Sequence, residues 1–522
     1  MENKFLAGLN ATNDKIYTEN GAVAYSGTGI ALMDLFALGA AYRTRSDEDC
    51  ILLFKKAFEE NETYAMKCLF YIRDVRGGQG ERRFFRVCMR WLAKAHPAAV
   101  RRNMNYFAEY GRWDDLYCLI DTPLESEMFA LVKDQLGKDM ISVVGDKNAV
   151  SLLAKWLPSE NTSSQKTREL GAKTRKALGM TCKQYRKSLS ILRERINVLE
   201  RLMSAGQWDK IEFDKIPSRA GMIYRNAFAR HDVERMKAGA QTYEAFAKDD
   251  NSKVNAKALY PYECVDAAFK LRNTNYYHNV SLEDTQRLMV NKYWDNLADY
   301  FNSASFNGMC VVDVSGSMCG STASAPINVA ISLGLYCADK CKGPFANHSM
   351  TFSANPTFVK VEGVDFYDKV VRMSSADWGM NTNIEAAFDL MLRTAIANGC
   401  KQEDIPENLL IISDMEFDSC AVCGPAVSSS FARYGSGGQS IQNRDTLFET
   451  LSKRWAANGY KMPKLVFWNV QARQNNLPMR DNGYVSFVSG MSPSIFDALM
   501  TGKTGLELVL EKLNAKRYEV IR

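Results

Sequence analysis

The chain has 522 residues, too many for a single hydrophobic core, and suits two or three domains. Its 46% hydrophobic and 24% charged content is that of an ordinary globular protein, and no stretch approaches the roughly 20 apolar residues that span a bilayer. Thirteen scattered cysteines do not indicate a disulfide framework, and the first residues do not lead into a signal-peptide apolar region. We therefore expect a cytoplasmic protein that does not enter a membrane.

The net charge of +6 is unevenly distributed along the chain. Residues 1–300 hold 46 lysines and arginines against 39 acidic residues, a balance of +7, whereas residues 301–522 hold 20 against 21, a balance of −1. The basic surplus therefore belongs to the N-terminal part.

Residues 1–300 are predicted to be almost entirely helical. Ser46 and the three acidic residues after it begin one helix, Phe84 to Leu92 carry the apolar stripe of another, and Pro97 suits the first turn of a third that Gly111 ends. Short helices in succession favour a HEAT-like helical repeat module.

Two connectors in this module are polar. Residues 73–83 place three glycines between basic residues, a composition that can bring amides and guanidinium groups to a phosphate. The same residues also fit a helix stopped by glycine and followed by one begun at Glu81. Residues 111–116 combine a packing aromatic with capping carboxylates, which structure alone explains.

The positive charge is concentrated between Lys166 and Arg195, where ten basic residues face two acidic ones. Thr181 is predicted to cap a helix that runs to about Ser204 with one apolar face. The opposite face carries four cations: Lys183, Arg186, Lys187 and Arg193. Such a surface attracts polyanions, nucleic acid above all, although a solvated face kept charged for solubility is an equal alternative.

Residues 301–522 alternate predicted strands and helices, which indicates an α/β domain with a mostly parallel sheet. The buried strand pattern at 311–314 delivers Asp313, Ser315 and Ser317 into a glycine-containing turn. Thr382 precedes a predicted helix, and Asp414 follows the strand at 409–413. Carboxylates and hydroxyls in this combination suit a hard divalent cation, with Mg²⁺ favoured. If no metal binds, Asp313 would cap the following helix and the serines would satisfy turn amides.

This pattern resembles the von Willebrand A domain, whose metal-ion-dependent adhesion site uses Asp-x-Ser-x-Ser, a Thr from a second loop and an Asp from a third. All five positions have counterparts here, although the family's usual Gly-Gly-Thr is replaced by Met380-Asn381-Thr382. The resemblance implies a metal site with an open position for an acidic partner.

The N-terminal segments 74–85, 111–116 and 180–200 resemble the TROVE module of Ro autoantigen proteins, in which HEAT-like helices form a ring closed by a von Willebrand A domain. The whole chain looks closer to a branch of related proteins with the same two-part layout and no established function. In Ro proteins the helical ring binds small structured RNA and admits single-stranded ends of misfolded RNA. That resemblance implies two sets of RNA-contact residues here: first Lys183, Arg186, Lys187 and Arg193, and second Arg76, Arg82 and Arg83.

These observations predict a two-part binding protein rather than an enzyme. Residues 1–300 would be an RNA-binding helical module, and residues 301–522 a von Willebrand A domain that binds a divalent ion and closes the ring or recruits an acidic protein. The alternative is a metal-dependent protein-interaction adaptor, such as an ATPase-associated assembly factor, that binds no RNA.

Overall fold

The computed structural model describes residues 15–145, 150–274, 280–301, 306–352, 356–374, 383–417, 446–479 and 484–522. The chain divides into two compact units. One consists of Met1–Arg45 with Asp299–Lys512, and the other of Ser46–Ala298 with Leu513–Arg522. In the described part of the chain, no helix is long and apolar enough to cross a membrane.

The N-terminal segment contributes a short hairpin and one helix to the first unit. The hairpin pairs β1 (Lys15–Tyr17) with β2 (Val23–Tyr25), and the helix is α1 (Ala31–Leu38). Tyr25 exchanges two backbone hydrogen bonds with Leu477 of the α/β part, and Phe36 of α1 is buried.

The second unit is helical. Its α-helices are α2 (Asp47–Glu60), α3 (Glu62–Arg73), α4 (Arg82–Ala95), α5 (Pro97–Asn103), α6 (Phe107–Tyr110), α7 (Glu125–Val144), α8 (Leu153–Trp156), α9 (Gln165–Ala177), α10 (Cys182–Arg195), α11 (Leu199–Ser204), α12 (Ser218–Arg230), α13 (Asp232–Lys237), α14 (Tyr243–Lys248), α15 (Pro261–Thr274) and α16 (Val280–Asp295). A 3₁₀ helix, Trp113–Leu119, follows α6.

The capping residues explain where several of these helices begin. The Ser46 hydroxyl accepts the amide of Asp49 at 3.0 Å, and Thr181 and Gln184 cap α10 reciprocally, as predicted. The helix predicted to run from 181 to 204 is instead two helices, α10 and α11. Asn197, between them, has a φ of 47°, a left-handed conformation that ends a helix.

The first unit contains a six-stranded sheet with α-helices along the chain between its strands. Its remaining elements are β3 (Gly308–Asp313), α17 (Pro326–Lys340), β4 (His348–Phe352), β5 (Thr357–Lys360), α18 (Phe366–Ser374), α19 (Ile384–Ala397), β6 (Asn408–Ser413), α20 (Leu447–Ala457), β7 (Lys464–Asn469), β8 (Val485–Ser489), α21 (Phe496–Leu499) and α22 (Gly505–Leu513). The strand order is β5-β4-β3-β6-β7-β8, and every pair is parallel except the β4–β5 hairpin. The predicted fold class, a helical module followed by a mostly parallel α/β sheet, is confirmed.

The division of the chain differs from a single boundary between residues 300 and 301. The chain does pass from one unit to the other at Asp299, but the described residues 15–45 pack with the α/β unit. The last ten residues join the helical unit, where Tyr518 stacks on Tyr110 with ring centroids 5.8 Å apart. The predicted boundary was drawn from charge and element type. These do not show that Phe36 is buried in the α/β unit and Tyr518 in the helical unit.

Candidate metal centre and basic surface

The carboxyl ends of β3 and β6 bring the predicted metal-binding side chains together. Asp313 is the last residue of β3 and is fully buried. Its Oδ1 accepts the Ser315 amide at 2.9 Å, and its Oδ2 accepts the Ser413 hydroxyl at 2.5 Å. The hydroxyl oxygens of Ser315 and Ser317 lie 3.1 Å apart. Neighbouring parallel strands end at the same sheet edge, which is where such sheets place their sites.

Asp414 follows β6 directly and is also fully buried. Its Oδ1 accepts the amide of Glu416 at 3.3 Å. Its Oδ2 has no hydrogen-bond partner among the described residues, although a buried carboxylate oxygen normally has one. A carboxylate oxygen in this state is suited to coordinate a metal ion.

Burial of two neighbouring carboxyl groups disfavours their charged forms. It raises the pKa of Asp313 to about 7, with the negative charge of Asp414 adding to the effect. Burial likewise raises the pKa of Asp414, opposed by the Ser317 hydroxyl and by the cation of Arg473. A divalent ion would compensate both charges.

The donor set fits a hard cation in its chemistry. Within the described ranges, no group of three or more His, Cys, Asp or Glu side chains has metal-binding geometry. The candidate ligands at this edge are the carboxylates of Asp313 and Asp414 and the hydroxyls of Ser315 and Ser317, so every ligand atom is an oxygen. Thr382, the fifth predicted ligand, lies outside the described residues.

The sequence analysis did not identify three further residues at this centre. The Nε of Arg473 lies 3.4 Å from Asp414 Oδ2, and the guanidinium also donates to the carbonyl of Ser317. Glu416 is buried, accepts the amide of Glu19 at 2.7 Å, and has its pKa raised to about 7 by burial. Only Glu416 carried a sequence signal, as the carboxylate two residues after Asp414.

The basic helix α10 offers three of its four predicted cations to solvent. Tyr185, Leu189 and Leu192 are buried on its packing side, whereas the other side exposes Lys183, Arg186 and Lys187. No ion pair of these three cations is found with any residue that the structure describes. Their positions, three and four residues apart, place them on one face of the helix.

Arg193, the fourth predicted cation, does not have the solvent-exposed position that the sequence predicted. Its guanidinium donates to the carbonyls of Ala154 and Leu157 and to the hydroxyl of Ser159, each at 2.8 Å. Burial lowers the pKa of Arg193, and its hydrogen-bonding atoms are engaged inside the helical unit. Arg193 therefore anchors the 154–159 segment instead of extending the exposed surface.

The second predicted set, on residues 73–83, is also largely engaged. Arg76 donates to the Glu109 carbonyl at 2.6 Å, and Arg83 pairs with Asp47, while Arg82 is exposed. Glu81 caps α4 by accepting the Arg83 amide at 2.8 Å. The structural alternative for this connector, a glycine-rich stop followed by a helix begun at Glu81, is the one observed.

Two family models match the chain. One, described as domain of unknown function DUF2828, matches residues 18–136 and 124–305, and the other, domain of unknown function DUF7788, matches residues 307–519. Uncharacterized protein L728 of Acanthamoeba polyphaga mimivirus is 32% identical over 527 residues, covering 93% of this chain and 85% of that protein. The chain belongs to the DUF2828 family. This agrees with the predicted branch of related two-part proteins.

A solved structure of the Deinococcus radiodurans Ro (RSR) protein is also similar to the chain. The TM-score is 0.47 at 14% identity, over 91% of this chain and 100% of that one. A likeness this distant does not transfer the role of any residue.

Within the DUF2828 segment, the connectors 73–83 and 111–116 build a buried ion-pair network. Asp115 accepts Arg73 Nε at 2.8 Å, Arg86 Nε at 2.7 Å and the Arg112 amide at 2.9 Å. A Cβ on Gly111 would lie 2.2 Å from Asp115 Oδ2, so glycine is required at that position. The connectors that carry the resemblance to TROVE modules thus stabilise the helical fold.

Proposed function

We propose that this family member captures RNA on the exposed cationic face of α10, and that its α/β unit binds a divalent ion with Mg²⁺ favoured. The observation that carries the RNA proposal is the group of exposed cations Lys183, Arg186 and Lys187, hereafter the α10 triad. Nearby basic residues are used differently: Lys173 pairs with Asp121 and Glu125. The triad is thus charge left available to a partner while adjacent charge stabilises the fold.

RNA is the polyanion that suits this arrangement. Cations on one helical face can follow successive phosphates, and their binding releases condensed counterions. Each phosphate neutralised on a single strand contributes about −0.7 to the slope of log affinity against log salt. Small non-coding RNA or the single-stranded end of a misfolded RNA is the partner class that the TROVE resemblance suggests.

The test compares two variants with the same change in charge. One reverses the α10 triad (Lys183→Glu, Arg186→Glu, Lys187→Glu), and the control reverses three exposed lysines elsewhere in the helical unit (Lys237→Glu, Lys253→Glu, Lys257→Glu). Nucleic acid retained by natively purified protein is measured by the 260/280 nm ratio and sequenced. Affinity for a labelled single-stranded RNA is measured across a salt series.

We expect the triad variant to lose about a hundredfold or more in affinity and to have a salt slope shallower by about 2, with an unchanged circular dichroism spectrum. The control should lose much less. Equal losses would show that net charge, not a site, governs binding. Wild-type protein that carries no nucleic acid and does not bind the labelled strand would overturn the RNA proposal.

The proposed metal site comprises Asp313, Ser315, Ser317 and Asp414, with Thr382 added on the strength of the von Willebrand A resemblance. The buried, unpartnered Oδ2 of Asp414 is the observation that supports it. A bound divalent ion would supply positive charge and a coordination position for a carboxylate of an acidic protein partner. Titration calorimetry with Mg²⁺ and Mn²⁺ should show one site in the wild type and none in Asp414→Asn.

The adaptor alternative rests on the same metal site and requires no RNA. Under it, Asp313→Ala would abolish partner capture while reversal of the α10 triad would change nothing. We propose binding rather than catalysis, in a cytoplasmic setting. Divalent-dependent turnover of a substrate, lost in Asp414→Ala, would contradict that view.

A further inference from the structure

Arg473 is a cation that the chain itself places at the proposed metal site. Its guanidinium donates to the carbonyl of Ser317, which belongs to the metal loop, and its Nε lies 3.4 Å from Asp414 Oδ2. That separation permits a charge interaction, yet neither atom makes a hydrogen bond within the described residues. The charges are near each other without the directed geometry of a structural ion pair.

The same carboxylate oxygen is the one open to a metal ion. Asp414 Oδ1 already accepts the Glu416 amide, so Oδ2 is the oxygen left for coordination. At a metal–oxygen distance of about 2.1 Å, an ion on Oδ2 would lie within about 5.5 Å of Arg473 Nε. A divalent and a monovalent cation that close repel each other strongly where water is largely excluded.

Contacts on both sides hold Arg473 near the site. Its Nη1 lies 3.4 Å from the Glu19 carboxylate, and its own carbonyl accepts the guanidinium of Arg45. The side chain is nevertheless about one-third exposed, at 31%. It is therefore both retained beside Asp414 and able to turn away into solvent.

We infer that Arg473 competes with the divalent ion for Asp414 and thereby sets the metal affinity of this site. In the metal-free protein Arg473 partly compensates the buried carboxylate. A metal ion that binds must displace the guanidinium or tolerate its repulsion, so the affinity is lower than the donor set alone would give. This inference rests on the proposed metal site and concerns what tunes it.

The test measures Mn²⁺ binding by electron paramagnetic resonance and calorimetry in full-length protein. Arg473→Gln removes the charge and keeps an amide that can donate to the Ser317 carbonyl, whereas Arg473→Lys keeps the charge. The matched control is Arg454→Gln, a half-buried arginine of the same unit that pairs with Glu385 and Asp389 away from this loop. Thermal unfolding of each variant verifies that it is folded.

We expect Arg473→Gln to bind Mn²⁺ about tenfold or more tightly than the wild type, with Arg473→Lys and Arg454→Gln close to the wild type. Equal or weaker binding by a folded Arg473→Gln would overturn the inference while the metal site stood. If neither the wild type nor Arg473→Gln binds Mn²⁺ in a manner lost in Asp414→Asn, the metal site fails and the inference fails with it.

Discussion

Two pairs of fully buried aspartates distinguish the two units of this protein. In the helical unit, Asp74 accepts both the Arg517 guanidinium and the Tyr518 hydroxyl, and Asp115 accepts hydrogen bonds from two arginines. In the α/β unit, Asp313 accepts a hydroxyl and an amide, and Asp414 leaves one oxygen unpartnered among the described residues. Equally buried aspartates are thus neutralised by arginines in the helical unit, whereas Asp414 in the α/β unit keeps one oxygen without a hydrogen bond among the described residues.

The difference separates a structural carboxylate from a binding one. Burying a carboxylate is costly, and a well-placed arginine offsets much of that cost. Where arginines already surround the group, its removal should damage folding and nothing else. Where a buried carboxylate oxygen lacks a hydrogen-bond partner, removal of the carboxylate should cost little stability and should abolish binding of a cation.

The largest expected effect is on Asp115. Asp115→Asn leaves the guanidinium of Arg73 buried without its carboxylate, because that side chain is only 2% exposed. We expect a loss of about 3–5 kcal/mol in unfolding free energy, independent of divalent ions. Urea unfolding measures it. The exposed pair Arg101–Glu127 provides the control, since Glu127→Gln should cost less than about 1 kcal/mol.

Asp414→Asn should behave in the opposite way. In metal-free buffer its unfolding free energy should match or exceed that of the wild type, because one of two adjacent buried carboxylates is removed. Divalent ion at a hundred times its dissociation constant should stabilise the wild type by about 2.7 kcal/mol and leave the variant unchanged. Thermal scans with and without Mg²⁺ separate the two effects. A large destabilisation in metal-free buffer would place Asp414 with the structural aspartates.

The same contrast applies to cations on α10. Arg193→Met removes three hydrogen bonds to the 154–159 segment and should cost about 1–3 kcal/mol of unfolding free energy. Lys187→Met, on the exposed face, should change stability by less than about 0.5 kcal/mol. Chemical unfolding measures the stability of both variants. Equal unfolding free energies would mean that Arg193 does not anchor the 154–159 segment.

The order of residues along the chain was sufficient to predict that four of the proposed metal ligands meet at one edge of the sheet. Asp313, Ser315 and Ser317 are adjacent in sequence, and Asp414 follows a buried strand, so strand ends in a parallel sheet bring them together. Arg473 and Glu19 reach the same place from loops that have no periodic pattern and lie far away in sequence. Arg193 was misplaced because helical periodicity gives the direction of a side chain, not the segment that folds over it.

Glu263 lies between the fully compensated and the uncompensated carboxylates, and its substitution is expected to change stability least. This carboxylate of the helical unit is 9% exposed, its Oε1 lies 3.1 Å from Arg219 Nε, and its Oε2 accepts the Tyr260 amide at 3.2 Å. Burial raises the pKa of Glu263, and the largely exposed Arg219 opposes the shift only in part. The ion pair with Arg219 thus compensates the charge less completely than the arginines around Asp115 do.

A raised pKa gives the pH dependence a definite sign. Between the unfolded and folded pKa values, the folded protein holds more protons at Glu263 than the unfolded chain, so this group's contribution to stability falls as pH rises through that window. Glu263→Gln does not titrate, and the wild type should therefore lose stability relative to this variant from acidic to neutral pH. Glu127, whose pKa is lowered by its hydrogen bond with Arg101, should give the opposite slope against Glu127→Gln. Urea unfolding across the pH range compares the slopes, and two slopes of the same sign would mean that Arg219 outweighs the effect of burial on the pKa of Glu263.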